Sequence, residues 1–129
     1  SFLDNFIPLR DESADAYEVP QYSCSPKIVF NKADELIEYL VTNKTVHNTI
    51  YWGNKAESDL QGAMCFFTND GKLIVGLYCN TLDSDKSIET RYFSALQEFC
   101  SSKQGYIAYE DHASHDTTEF MERVKTYWA

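Results

Sequence analysis

The side chains best suited to chemistry gather near the end of the chain, in the stretch Tyr109–Glu119, YEDHASHDTTE. His112 and His115 stand three residues apart among Glu110, Asp111, Asp116 and Glu119. Imidazoles and carboxylates together are donors for zinc or another transition metal, and they are also the groups that move protons. The pair reads as part of a loop rather than a rigid helix, however, and no H-E-x-x-H occurs. His47, the third histidine, falls at the start of a strand near the other end of the sheet. Nucleophilic catalysis has even less to work with. There is no G-x-S-x-G elbow, and Cys65, Cys79 and Cys100 sit among apolar neighbours without a motif that pairs them with histidine. Phosphate-cradling glycine motifs are absent too. The expectation is a protein with no catalytic residue, no metal and no cofactor. The alternative is a metal-dependent hydrolase built on His112, His115 and the neighbouring acids.

What the stretch does depends on the elements that place it. Residues 1–26 contain all three prolines (Pro8, Pro20 and Pro26) and read as an acidic, largely irregular arm. A single domain is expected over 27–129. Its first strand is KIVF (27–30). Asn31 then caps a helix with Ala33, Leu36, Ile37, Leu40 and Val41 on one face. A strand follows at 47–54, rich in β-branched and aromatic residues. QGAMCFFTNDGKLIVGLYCN (61–80) reads as a hairpin closed by a two-residue Asp70-Gly71 turn. That turn pairs Phe66 with Val75 and Met64 with Leu77, and it sends Cys65 and Cys79 to opposite faces, where they cannot bond. Both hairpin faces are apolar, which places the hairpin centrally with both sides covered; the alternative is that one face is kept for a partner. A helix over 84–103 buries Ile88, Tyr92, Ala95, Leu96 and Phe99. GYIAY (105–109) is the last strand, and Asp116 caps a final helix with Glu119 three residues on. The order β-α-β-β-β-α-β-α implies an α/β or α+β domain with a mixed five-stranded sheet and three packed helices.

Short connections reverse a strand and helical crossovers preserve its direction. Applied here, these rules bring Glu57, Asp59, Asp83, Asp85, Glu110, Asp111 and Asp116 to one end of the sheet, with Asp34 and Glu35 beside them. Lys44, Lys72, Lys103 and Lys125 go to the other end. Helix dipoles alone favour such polarity, at about 0.3–1 kcal/mol per charge, but they do not account for Glu57, Asp59 or the acidic arm.

The whole composition leans the same way. Twenty Asp and Glu against eleven Lys and Arg give a net charge of −9 over 129 residues, which disfavours nucleic acid or an anionic membrane as partner. No apolar run approaches the roughly 20 residues of a bilayer span, and the N-terminus does not read as a signal peptide. Unpaired cysteines suit a reducing, cytoplasmic setting.

In the strand pair GAMCFFTNDGKLIVGLYC, the helix TRYFSALQEFC and the closing GYIAYEDHASHDTTEFMERV, the chain resembles the small acidic cytoplasmic immunity proteins of bacterial contact-dependent inhibition and related polymorphic toxin systems. The resemblance implies tight neutralisation of one cognate toxin domain, commonly a nuclease. It assigns no residue by motif. The expected partner is a basic protein domain, met by a monomer through the acidic edge named above. Tyr17, Tyr22, Tyr51, Trp52 and Tyr109 are candidate anchors. A dimerising structural or adaptor module using one hairpin face is a further alternative.

Overall fold

The computed structural model describes residues 1–80, 87–102, 104–107 and 116–128. It is a mixed α+β domain whose elements run α1 (Phe2–Phe6), β1 (Arg10–Glu12), β2 (Tyr17–Val19), β3 (Ile28–Phe30), α2 (Ala33–Thr42), β4 (Asn48–Asn54), β5 (Leu60–Phe67), β6 (Leu73–Cys79), α3 (Ser87–Cys100) and α4 (Thr117–Trp128). The main sheet has the order β1-β4-β5-β6, with every described pairing antiparallel, and β2 and β3 form a separate two-stranded ribbon.

This corrects the expected mixed five-stranded sheet. The strand expected at 27–30 pairs with β2 instead of joining the main sheet. Of the strand expected at 105–109, residues 105–107 carry no strand, and 108 and 109 lie outside the described residues. The fourth main-sheet strand comes from the arm. Far from lying outside the domain, residues 1–26 supply α1, β1 and β2 and bury Ile7, Tyr17 and Val19 in the core. Those three join Ala33, Leu36 and Leu40 of α2 and Ile50, Trp52, Leu60, Ala63 and Cys65 of the sheet. Each fully buried aliphatic side chain here is worth roughly 1.5–3 kcal/mol, so the arm is integral to stability.

The first long helix forms where its apolar spacing predicts, but Asn31 is not its cap. Lys32 occupies the cap position without a side-chain bond, and the Ala33 amide donates instead to Glu12 Oε1 at 2.8 Å. Val41, expected on the buried stripe, is exposed. In α3, Tyr92 packs on the core, while Glu89 and Phe93 are its buried positions. Phe99 reaches the α1 rings, 6.2 Å from Phe2 and 5.7 Å from Phe6.

The hairpin forms as expected, but its loop is one residue longer. Thr68 and Lys72 bracket Asn69, Asp70 and Gly71. The Thr68 amide donates to the Lys72 carbonyl at 3.0 Å, and the Lys72 amide donates to Thr68 Oγ1 at 2.9 Å. Only Gly71 of the three loop residues takes a positive φ, at 80°, whereas the predicted turn needs two such residues. Val75 therefore pairs with Cys65, not Phe66. A one-residue slip exchanges faces, so Cys65 and Cys79 both turn towards the core, contrary to expectation. Their pairing partners, Val75 and Leu60, lie several rungs apart, and both thiols are free, as are Cys24 and Cys100.

The other face of the sheet is paved by side chains lying across glycines. The Tyr78 ring covers Gly62, beside the irregularity between Leu60 and Gly62, and its hydroxyl donates to the Trp52 carbonyl at 2.9 Å. Met64 lies over Gly76 in the same way. Among the described residues, no helix is long and apolar enough to cross a membrane.

Candidate functional site

The expected acidic edge divides in the structure. Glu57 and Asp59 are exposed in the loop between β4 and β5. Asp83, Asp85, Glu110 and Asp111 lie outside the described residues, as do His112 and His115. Asp116 caps α4 as predicted, its Oδ1 accepting from the Glu119 amide at 2.8 Å. Its position, however, is at the far end of the sheet. The adjoining Thr117 amide donates to Asp70 Oδ2 in the β5–β6 loop at 3.3 Å. The length of β5, about 25 Å for an eight-residue strand, separates this end from Glu57 and Asp59. The edge rule failed at this point because it depended on a strand at 105–109 leading into α4.

The basic end is seen in part. Lys44 and Lys72 line one shallow apolar groove of about 190 Å³ with Leu40, Val41, Phe67 and Leu73. Asp70 and Asp116 share that end, so it is not uniformly positive. Among the described residues, no three His, Cys, Asp or Glu side chains come together as a metal site.

The candidate anchors separate by burial. Tyr17 and Trp52 are core residues, and Tyr109 lies outside the described residues. Tyr22 is 78% exposed and Tyr51 38%, and the fold brings both to one cleft of about 270 Å³. The cleft opens where the chain leaves the sheet after β1 and returns after β2. On departure, the Ser13 amide donates to the Tyr51 carbonyl at 3.1 Å. On return, the Gln21 side chain takes the next rung of β4. Its Nε2 donates to the Thr49 carbonyl and its Oε1 accepts from the Thr49 amide, both at 2.9 Å. A side-chain amide thus stands in for a strand residue.

That clamp also sets Tyr22. Its φ of 62° is a left-handed value that a bulky side chain rarely adopts. Its amide donates to Glu18 Oε1 at 3.0 Å, and the Ser23 amide closes the turn on the Pro20 carbonyl at 3.2 Å. Tyr51 opposite stands edge-on to Phe66 at 6.3 Å. Burial first, then the neighbouring Tyr22 and Tyr78 phenols, raise the Tyr51 pKa, so its hydroxyl stays neutral. Asn48 borders the cleft at 1% exposure, on the strand face it shares with Ile50 and Trp52, and its Nδ2 meets no hydrogen-bond acceptor among the described residues.

The charge around this cleft is negative. Glu18 is the one charged residue in its lining, and exposed Asp15 lies in the same segment. Asp4 and Asp11 are partly offset by Arg10 at 2.8 Å and Lys55 at 3.7 Å. The Arg10 hydrogen bond holds the Asp4 carboxyl below its ordinary range. Among the described residues, Asp15, Glu18, Glu57 and Asp59 form no ion pair. Two exposed tyrosines in an acid-rimmed cleft can grip a cationic partner. The sequence reading named both rings but could not join them, because 29 positions separate them and long-range contacts such as the Ser13–Tyr51 bond and the Gln21–Thr49 clamp bring them together. No protein-family model, curated protein or solved structure matches the chain.

Proposed function

We propose that the protein is a non-enzymatic inhibitor of the immunity type, a monomer that acts in the cytoplasm by binding one basic toxin domain. A nuclease is the class that the resemblance implies. The observation that carries this reading is the Tyr22–Tyr51 cleft set into the acidic N-terminal segment. A net charge of −9 accelerates encounter with a cationic surface, and exposed aromatic anchors then supply much of the binding energy. In this reading the carboxylates of Asp15, Glu18, Glu57 and Asp59 take the place of substrate phosphates, and Asp83, Asp85, Glu110 and Asp111, which lie outside the described residues, belong to the same contact set. This is how a small acidic domain blocks a basic catalytic cleft.

The test is a pull-down from native host lysate at low and moderate salt, with the captured protein identified by mass spectrometry. A single basic domain, released as salt rises, is the expected result. No partner at either salt would count against the reading.

A further inference from the structure

We infer that the Tyr22–Tyr51 cleft is the seat for one arginine side chain of the partner; the inference rests on the binding reading above and names the chemistry of its central contact. The lining offers the buried Tyr17, the exposed rings of Tyr22 and Tyr51, one carboxylate at Glu18 and no cation. Guanidinium is a planar cation that stacks on aromatic faces, and its N–H groups form a fork matched to a carboxylate. Lysine presents a compact, strongly hydrated charge and uses such walls less well. The Glu18 carboxylate already accepts the Tyr22 amide through Oε1, which ties the anion to one wall of the cleft.

Tyr22 is also preset. Its left-handed backbone is held by Glu18 and by the Gln21 clamp, so the point from which an exposed ring projects is fixed before any partner arrives. Local strain of this kind is tolerated where the surrounding bonds impose it, and it lowers the ordering cost of binding.

The probe is N-acetyl-arginine methylamide, titrated into the isotope-labelled full chain at near-physiological salt and followed by NMR. Its neutral isostere, the citrulline derivative, is the control. Expected are saturable shifts confined to residues 13–22 and 48–51, with the citrulline compound at least about tenfold weaker. Tyr22→Ala should weaken the arginine probe by about threefold to thirtyfold, the span of a cation–π contact, while Tyr22→Phe keeps most of the affinity. Glu18→Gln should weaken it as well. Equal binding of citrulline, shifts confined to Glu57 and Asp59, or no shift at about 50 mM probe would each overturn the assignment. A basic partner whose affinity is unchanged by Tyr22→Ala and Glu18→Gln would sink the cleft assignment and leave the inhibitor reading standing. Saturable, arginine-selective probe binding with no basic partner in the lysate would do the reverse.

Discussion

Glu12 Oε1 accepts the Ala33 amide at 2.8 Å and the Tyr17 hydroxyl at 2.8 Å, so one carboxylate on the first strand caps a helix that begins 21 residues later and secures the second strand. An acid at a helix N-terminus is favourable electrostatically and satisfies an amide that has no partner within the helix. Glu12→Ala is expected to destabilise the fold by about 1–2 kcal/mol, the size of a lost cap. Glu12→Gln should recover part of this, since an amide oxygen still accepts. Urea midpoints of the three proteins decide it, and equal midpoints for wild type and Glu12→Ala would show that the cap contributes nothing.

Alkaline pH should weaken the fold. Burial pushes the Cys65 thiol up to about 12 and, with Glu89 nearby, Cys79 up to about 11, from an ordinary 9.0. Tyr17 is also raised, by burial first and then by its bond to Glu12. In each case the fold favours the protonated form. The stabilisation is complete below about pH 9 and is lost as pH climbs through the raised values. The limiting slope for Cys65 is about 1.4 kcal/mol per pH unit. Denaturation midpoints between pH 7 and 11 should fall at the alkaline end, and more shallowly in Cys65→Ala.

Two glycines should respond differently to the same methyl group. At Gly62 it would fall 2.2 Å from both the Trp52 carbonyl oxygen and the Tyr78 ring. Gly62→Ala is therefore expected to cost about 3 kcal/mol or more, the upper end of overpacking penalties. At Gly71 the methyl meets only Lys44, at an ordinary 3.4 Å, and the penalty of about 1–2 kcal/mol comes from the left-handed backbone alone. Thermal unfolding of both variants checks the ranking.

Once the partner is in hand, charge reversal of Asp83, Asp85, Glu110 and Asp111, or separately of Glu57 and Asp59, should slow association and flatten its salt dependence while circular dichroism is unchanged. Asp116→Ala should behave otherwise. Its carboxylate is engaged with the Glu119 amide at the lysine-bearing end, so stability should fall by about 1 kcal/mol with little change in association rate. Stopped-flow mixing at two salt concentrations separates the two outcomes.

Local rules located α2, β4, the hairpin and the α4 cap, because apolar period, β-branched content and the Asn69-Asp70-Gly71 stretch act within a few residues. The loop length was not legible, since Thr68 Oγ1 competes with the backbone for the Lys72 amide and adds a residue to the turn. Nor could local rules join the arm to the core. β1 and β2 have three residues each, and their pairing is decided by partners as distant as Trp52 and Phe30. Of the seven residues of the acidic edge, three lie among the described ones. Glu57 and Asp59 follow from β4 and β5, but Asp116 depended on a strand that residues 105–107 do not form.

The Gln21 amide that completes the Thr49 rung has a consequence for how the molecule coexists with its own copies. A strand margin with a vacant donor and acceptor is a template on which another chain can nucleate, and many proteins guard such margins with charge, proline or an extra strand. Here one neutral side chain acts as the stopper. The same two bonds that shape the cleft thus seal the neighbouring rung against self-association, and anything that draws Gln21 away gives up both together.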